Sequence, residues 1–179
     1  MLSTIIRHLA DAQASGQVHF HLIGGYGLDA HRLFRDTRDL DVLIAGDSAA
    51  AIQSVLIGLG YVRHDQTPSF LRYWHPTDTG FPPVDVMMVN AATFARISSD
   101  AVEYQFQGVG VTCPSVASFI ALKLHALKNN PSRTQKDLGD IISLIEKNPG
   151  TISMEQLKAL CDRYAPSHIY EKLRILIQS

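Results

Sequence analysis

Only two cysteines, Cys113 and Cys161, occur in 179 residues. That is too few for a disulfide scaffold and points to a reducing compartment. No apolar run approaches the roughly 18 residues that a membrane span requires. The longest, Val84–Val89 and the stretch from Ile169, are short or interrupted by charge. The first eight residues, Met1 to His8, lack both a basic n-region and a long apolar h-region, so they do not read as a secretory signal. Together these absences lead us to expect a cytoplasmic protein with no membrane partner. Familiar motifs are missing too. There is no G-x-G-x-x-G, no G-x-x-x-x-G-K-[ST], no C-x-x-C, no H-E-x-x-H and no G-x-S-x-G. Dinucleotide, P-loop, zinc and nucleophile-elbow readings therefore have no support. A net charge of −1 argues against a dominant basic surface.

A substantial core is present in the composition. Hydrophobic residues make up 46% and charged residues 18%, which suits a compact domain with a helical appendage and excludes a disordered chain. Charge is unevenly placed. Residues 1–100 carry −3, residues 101–179 carry +2, and all six lysines lie between Lys123 and Lys172.

Periodicity divides the chain. Leu2, Ile5, Ile6 and Leu9 predict a helix over 2–15. His19–Ile23 reads as a buried strand running into Gly24-Gly25, and Tyr26–Leu33 as a short helix. Leu40–Ile44 reads as a second strand, and Asp47 as the N-cap of a helix over 48–59. Strands are expected at 61–64, 70–75, 84–89, 102–106 and 109–112. After Pro114 the pattern becomes helical: 115–128, 134–147, 153–164 and 167–177, with Asn129-Asn130-Pro131, Asn148-Pro149-Gly150 and Ala165-Pro166 as breakers. Residues 1–112 therefore read as a mixed α/β part and residues 113–179 as a helical part.

The chemistry concentrates in aspartates. Asp39 and Asp41 alternate with Leu40 and Val42, so on a strand the two carboxylates share one face. Like charges this close are costly unless a cation sits between them, and oxygen-only ligands suit Mg²⁺. Asp85 stands mid-strand among Val84, Val86 and Met87, against propensity, as expected at a functional site. If the two strands are neighbours, the three aspartates converge. Gly24-Gly25, between a strand and a helix, allows close backbone approach to a phosphate. Taken singly, each feature has a plainer reading: a strand-end Asp pair, or a turn that needs positive φ. His19 and His21 read as a half-buried or solvent-facing pair rather than a metal site. Tyr26, Tyr73 and Trp74 read as core packing rather than base stacking.

In combination, Gly-Gly, thirteen residues, Asp-x-Asp and a later strand aspartate resemble the nucleotidyltransferase fold of the DNA polymerase β superfamily. The segment Arg35-x-Thr-x-Asp-Leu-Asp41 resembles the small bacterial AbiEii-type enzymes. So does Lys123 followed by Arg133-Thr-Gln-Lys-Asp-Leu-Gly-Asp140. The resemblance covers about residues 18–145 and implies an α+β fold, a mixed β-sheet flanked by helices over residues 1–112 with a C-terminal helical bundle, 113–179, packed on it. It implies that Asp39, Asp41 and Asp85 bind Mg²⁺ or Mn²⁺, and that Gly24 and Gly25 contact the phosphates of a nucleoside triphosphate. It also implies that one of Arg35, Thr37 and Arg38 touches the nucleotide. Lys123 and Lys136 would act on phosphate charge, and Asp137 would serve as base or orienter. A plainer account makes Lys136 and Asp140 an i, i+4 surface pair and Lys123 a marker of its helix's polar face. The implied activity moves a nucleoside monophosphate to an acceptor hydroxyl, on tRNA or protein in a toxin with a cognate antitoxin. The alternatives are a small-molecule or antibiotic acceptor, or a non-catalytic relative that binds nucleotide or a partner.

Overall fold

The computed structural model describes residues 1–130, 132 and 134–178. The expected breaker Pro131 and the motif residue Arg133 lie outside the described residues. Two compact units emerge: Met1–Ala30 with Phe34–Pro114, and His31–Leu33 with the chain from Ser115 onward. The boundary after Pro114 coincides with the change of periodicity from strands to helices.

The first unit contains α1 (Leu2–Ala14), β1 (Phe20–Ile23), α2 (Gly24–Leu28), β2 (Leu40–Ala45), α3 (Ala49–Gly58), β3 (Val62–Thr67), β4 (Phe70–Trp74), β5 (Val84–Val89), α4 (Ala91–Ser99), β6 (Val102–Phe106) and β7 (Val109–Cys113). Five strands form one sheet in the order β1-β2-β5-β4-β3, and β6-β7 form a separate hairpin. All contacts in the large sheet are antiparallel except β2 against β5. Those two central strands carry the apolar runs. Leu40, Val42, Leu43, Ile44, Val84 and Val86 are fully buried. Ile5, Ile6 and Leu9 of α1 and Ile52 and Leu56 of α3 supply the helical side of this core.

Several readings change. The expected helix over 26–33 is α2 followed by a 3₁₀ turn at Asp29–His31. Asp47 is not an N-cap, because it lies inside a 3₁₀ turn, Gly46–Ser48, that precedes α3. Helix α4 was not expected; its signal is Asn90, whose side chain accepts the Thr93 N–H at 2.8 Å. Trp74 is 48% exposed and stacks on His64 rather than entering the core, whereas Tyr73 is fully buried.

The second unit holds α5 (Val116–Asn129), α6 (Thr134–Lys147), α7 (Met154–Tyr164) and α8 (Ile169–Gln178). Ser115 caps α5, and Ser153 with Gln156 forms a capping box on α7. Phe119, Ile120, Leu124, Leu138, Ile141, Leu144, Leu157 and Leu173 are buried. The short segment His31–Leu33 joins this unit through the Asn148 amide, which donates to the His31 carbonyl at 2.9 Å, and through edge-on packing of His31 against Phe119. Both cysteines are free and buried, and burial pushes their thiols up, Cys113 to about 12 and Cys161 to about 11. Among the described residues, no helix is long and apolar enough to cross a membrane.

His19 and His21 part company: His19 is exposed, whereas His21 is buried. The His21 ring bonds Thr112 Oγ1 at 2.9 Å and Ser98 Oγ at 2.8 Å, and stacks on Phe94. It thereby ties β1 to β7 and α4. Desolvation lowers its pKa from 6.5 to about 4, against a raising influence of Asp100. Between those values the unfolded chain binds the proton and the folded chain does not. Stability is therefore highest above pH 6.5 and falls as pH drops towards 4. From pH 7.5 to 5, urea unfolding should show the wild type losing about 2 kcal/mol more than His21→Gln. Equal losses would show that His21 is not held neutral.

Candidate active site

Strand β2 begins where the Leu40 N–H donates to the Pro83 carbonyl at 2.9 Å, and this contact fixes its register against β5. Leu40 then lies opposite Val84, Asp41 opposite Asp85, and Val42 opposite Val86. Residues at one level of neighbouring parallel strands project to the same face. Apolar pairs therefore enter the core on one side while Asp41 and Asp85 meet on the other. Asp39, two residues before Asp41, joins them. One carboxylate oxygen from each of the three lies within 4.8 Å of the others. This set of hard oxygen donors matches the coordination chemistry of a divalent cation such as Mg²⁺.

A residue not anticipated from sequence completes the cluster. Arg72 on β4 is cross-strand from Asp85. Its Nε donates to Asp85 Oδ1 at 2.7 Å and its Nη2 to Asp85 Oδ2 at 2.8 Å, a bidentate fork. The same Nη2 lies 3.6 Å from Asp39 Oδ2. The sequence signal was an arginine inside an apolar strand, Phe-Leu-Arg-Tyr-Trp, but its partner depends on the β4–β5 register. Burial pushes the Asp85 carboxyl above its ordinary range. The Arg72 hydrogen bonds offset this only in part, and the Asp39 charge adds to it.

The glycines have a steric reason. Gly24 has φ +62°, and a Cβ there would overlap the Asp41 carboxylate. A Cβ at Gly25 would lie 2.7 Å from Thr37 Cβ. Gly-Gly is thus the only pairing that lets the β1–α2 turn close over both side chains. Thr37 in turn orients Asp39, donating from Oγ1 to Oδ1 at 3.0 Å, and the Tyr26 hydroxyl donates to the Thr37 carbonyl at 3.3 Å.

The structure thus brings Gly24, Gly25, Thr37, Asp39, Asp41 and Asp85 together within the first unit. Arg35 is half-buried and Arg38 exposed on the irregular stretch that leads into β2. Lys123, Lys136 and Asp137 belong to the second unit. There Lys123 Nζ, with only 12% of its side chain exposed, meets Asp137 Oδ1 at 3.2 Å and Asp140 Oδ2 at 2.5 Å. Lys123 therefore does not simply mark a solvent face. Asp137 is buried beside it, and Lys136 is exposed.

The glycine geometry makes a direct prediction. Gly24→Ala should displace Asp41, lower stability by about 1–3 kcal/mol and remove divalent-cation binding. Gly16→Ala shares the strain of positive φ (+74°) but meets nothing within 4 Å. It should lower stability by about 1 kcal/mol and leave cation binding intact. Calorimetric titration of both variants checks this, and unchanged cation binding in Gly24→Ala would refute the steric account.

Comparison with known proteins agrees with this geometry. Residues 5–110, more than half of the chain and including all three aspartates, match the aminoglycoside-2''-adenylyltransferase family. Several solved structures share the fold, three of which follow. The antibiotic-resistance factor ANT(2'')-Ia is 15% identical, with 98% of this chain and 96% of that one covered and a TM-score of 0.68. An antigenic nucleotidyltransferase-like protein from Paracoccidioides brasiliensis is also 15% identical, with 99% and 90% covered and a TM-score of 0.60. The lincosamide antibiotic adenylyltransferase LnuA is 17% identical, with 81% and 97% covered and a TM-score of 0.54. No curated protein sequence matches this chain. The mixed sheet with flanking and C-terminal helices is thus a nucleotidyltransferase fold. The chain belongs to the aminoglycoside-2''-adenylyltransferase family and is a nucleotidyltransferase, a transferase of phosphorus-containing groups.

Proposed function

We propose that this enzyme transfers a nucleoside monophosphate, adenylate by family analogy, from a nucleoside triphosphate to a hydroxyl of a small, amine-bearing acceptor such as an aminoglycoside. One observation carries the reading. The three-aspartate cluster lies inside the family match, on in-register strands, with its donors converging.

Asp39, Asp41 and Asp85 would hold the divalent cation, Mg²⁺ or Mn²⁺. When bound, the cation neutralises triphosphate charge and so favours departure of pyrophosphate. Asp85 has the features of the acceptor's base. It is buried, its carboxyl is shifted up, and Arg72 fixes its plane. The acceptor O–H proton passes to an Asp85 oxygen as the acceptor oxygen bonds the α-phosphorus and the bond to pyrophosphate breaks. Thr37 holds Asp39 in line. Gly24 and Gly25 keep the turn low enough for phosphate to approach the backbone. Arg35 and Arg38 are candidates for nucleotide contact. Lys123, Lys136 and Asp137 are proposed auxiliaries, with Lys123 held by the two aspartates rather than projecting freely.

The local field suits a cationic acceptor. Burial raises the Tyr26 phenol, and Asp29, Asp36 and Asp39 raise it further, which marks a negative neighbourhood beside Thr37. The family match favours this acceptor over the tRNA or protein substrates, and the antitoxin partner, that the AbiEii-type resemblance implies.

Incubation with each α-labelled nucleoside triphosphate and Mg²⁺ tests the proposal, with an aminoglycoside panel, bulk tRNA and the protein itself as acceptors. Label should move to an aminoglycoside, and Asp41→Asn should lower the rate at least 10³-fold, about 4 kcal/mol of barrier. Transfer to tRNA or protein alone would replace the acceptor class. No transfer to any acceptor would refute the proposal.

A further inference from the structure

Arg72 occupies an unusual position for a cation. Three carboxylates that converge within 4.8 Å repel one another strongly. The guanidinium on β4 relieves that repulsion from one side, with both fork nitrogens on Asp85 and one of them 3.6 Å from Asp39. It brings the cluster from three formal negative charges to two. Any divalent cation that reaches the same oxygens must approach this fixed positive charge.

We propose that Arg72 is a positioning residue that acts as a built-in counter-cation: it holds the three aspartates together before a metal arrives and competes with the metal at Asp39. Metal entry is then an exchange. The Arg72–Asp39 contact, long at 3.6 Å and partly exposed, yields first, while the two short bonds to Asp85 persist. The fork keeps Asp85 oriented throughout, whereas Asp39 and Asp41 take the larger share of the cation.

The exchange tunes affinity in a direction that a purely structural arginine does not. An arginine needed only for folding loosens the site when removed, so metal binding weakens or stays the same. A competing cation weakens metal binding while it is present, so its removal tightens binding. The Arg72 side chain is 40% exposed, so solvent screens its charge, which limits the effect to about tenfold. Lysine at this position keeps a positive charge but loses the fork. It should preserve the weak metal affinity while freeing the Asp85 carboxylate to rotate.

The inference rests on the divalent-cation site proposed above, and the experiment separates the two. Mn²⁺ binding to the nucleotide-free protein is followed by loss of the free-ion electron paramagnetic resonance signal, for wild type, Arg72→Met, Arg72→Gln and Arg72→Lys. Arg72→Met or the gentler Arg72→Gln should bind Mn²⁺ about tenfold more tightly than wild type. Both should melt at a lower temperature without metal and gain more on adding it. Arg72→Lys should bind within about threefold of wild type, with turnover reduced because Asp85 is no longer held. Unchanged or weaker Mn²⁺ binding in folded Arg72→Met and Arg72→Gln overturns the counter-cation role and leaves the metal site standing. If neither wild type nor any variant binds Mn²⁺, the site and this inference fall together.

Discussion

The structure turns on electrostatic repulsion between three aspartates that the sheet brings within 4.8 Å of one another. The parallel register of β2 on β5 places Asp41 opposite Asp85, and a one-residue slip of β2 would turn Asp41 towards the core and Val42 away from it. Register is therefore held by the hydrophobic side. Fully buried Leu40, Val42, Val84 and Val86 each contribute on the order of 1.5–3 kcal/mol of burial, which opposes the repulsion of the partly solvated cluster. The core thus imposes an arrangement that the carboxylates alone would avoid.

What surrounds the cluster follows from that constraint. Arg72 meets Asp85 because antiparallel β4 puts it at the same level on the other side of β5. Gly24 lacks a side chain because the Asp41 carboxylate fills that space, and Gly25 because Thr37 does. Thr37, itself contacted by Tyr26, fixes Asp39. Every one of these residues lies in the first unit, within or beside the sheet. The sheet scaffold, rather than a mobile loop, sets the positions of Asp41, Asp85 and Arg72.

Much of this was legible in the sequence because the signals were local. Alternation of aspartate with leucine and valine gave the shared face, a mid-strand Asp85 violated propensity, and the change of period after Pro114 marked the helical unit. The misses were relational. Arg72 acquires its meaning only from the β4–β5 register, which no spacing along the chain encodes. Gly-Gly read as a phosphate-approach motif, while the contact that demands it, with Asp41 seventeen residues on, is tertiary. Lys123 on α5 was read without its partners because Asp137 and Asp140 belong to the next helix. Helix α4 gives a weak signal because Phe94 and Ile97 are its large apolar residues and its cap, Asn90, directly follows a strand. Asp47 had the right chemistry for a cap but fell in a 3₁₀ turn.

The central claim is that the three aspartates form one divalent-cation site at which a nucleotide is held for transfer. The most direct measurement is a crystal structure with Mn²⁺ and a non-hydrolysable ATP analogue, using the anomalous signal to locate the metal. The expected result is a manganese peak among the carboxylate oxygens of Asp39, Asp41 and Asp85, with the triphosphate beside Gly24 and Gly25. A nucleotide bound elsewhere, or manganese absent from the aspartates while nucleotide is present, would contradict it.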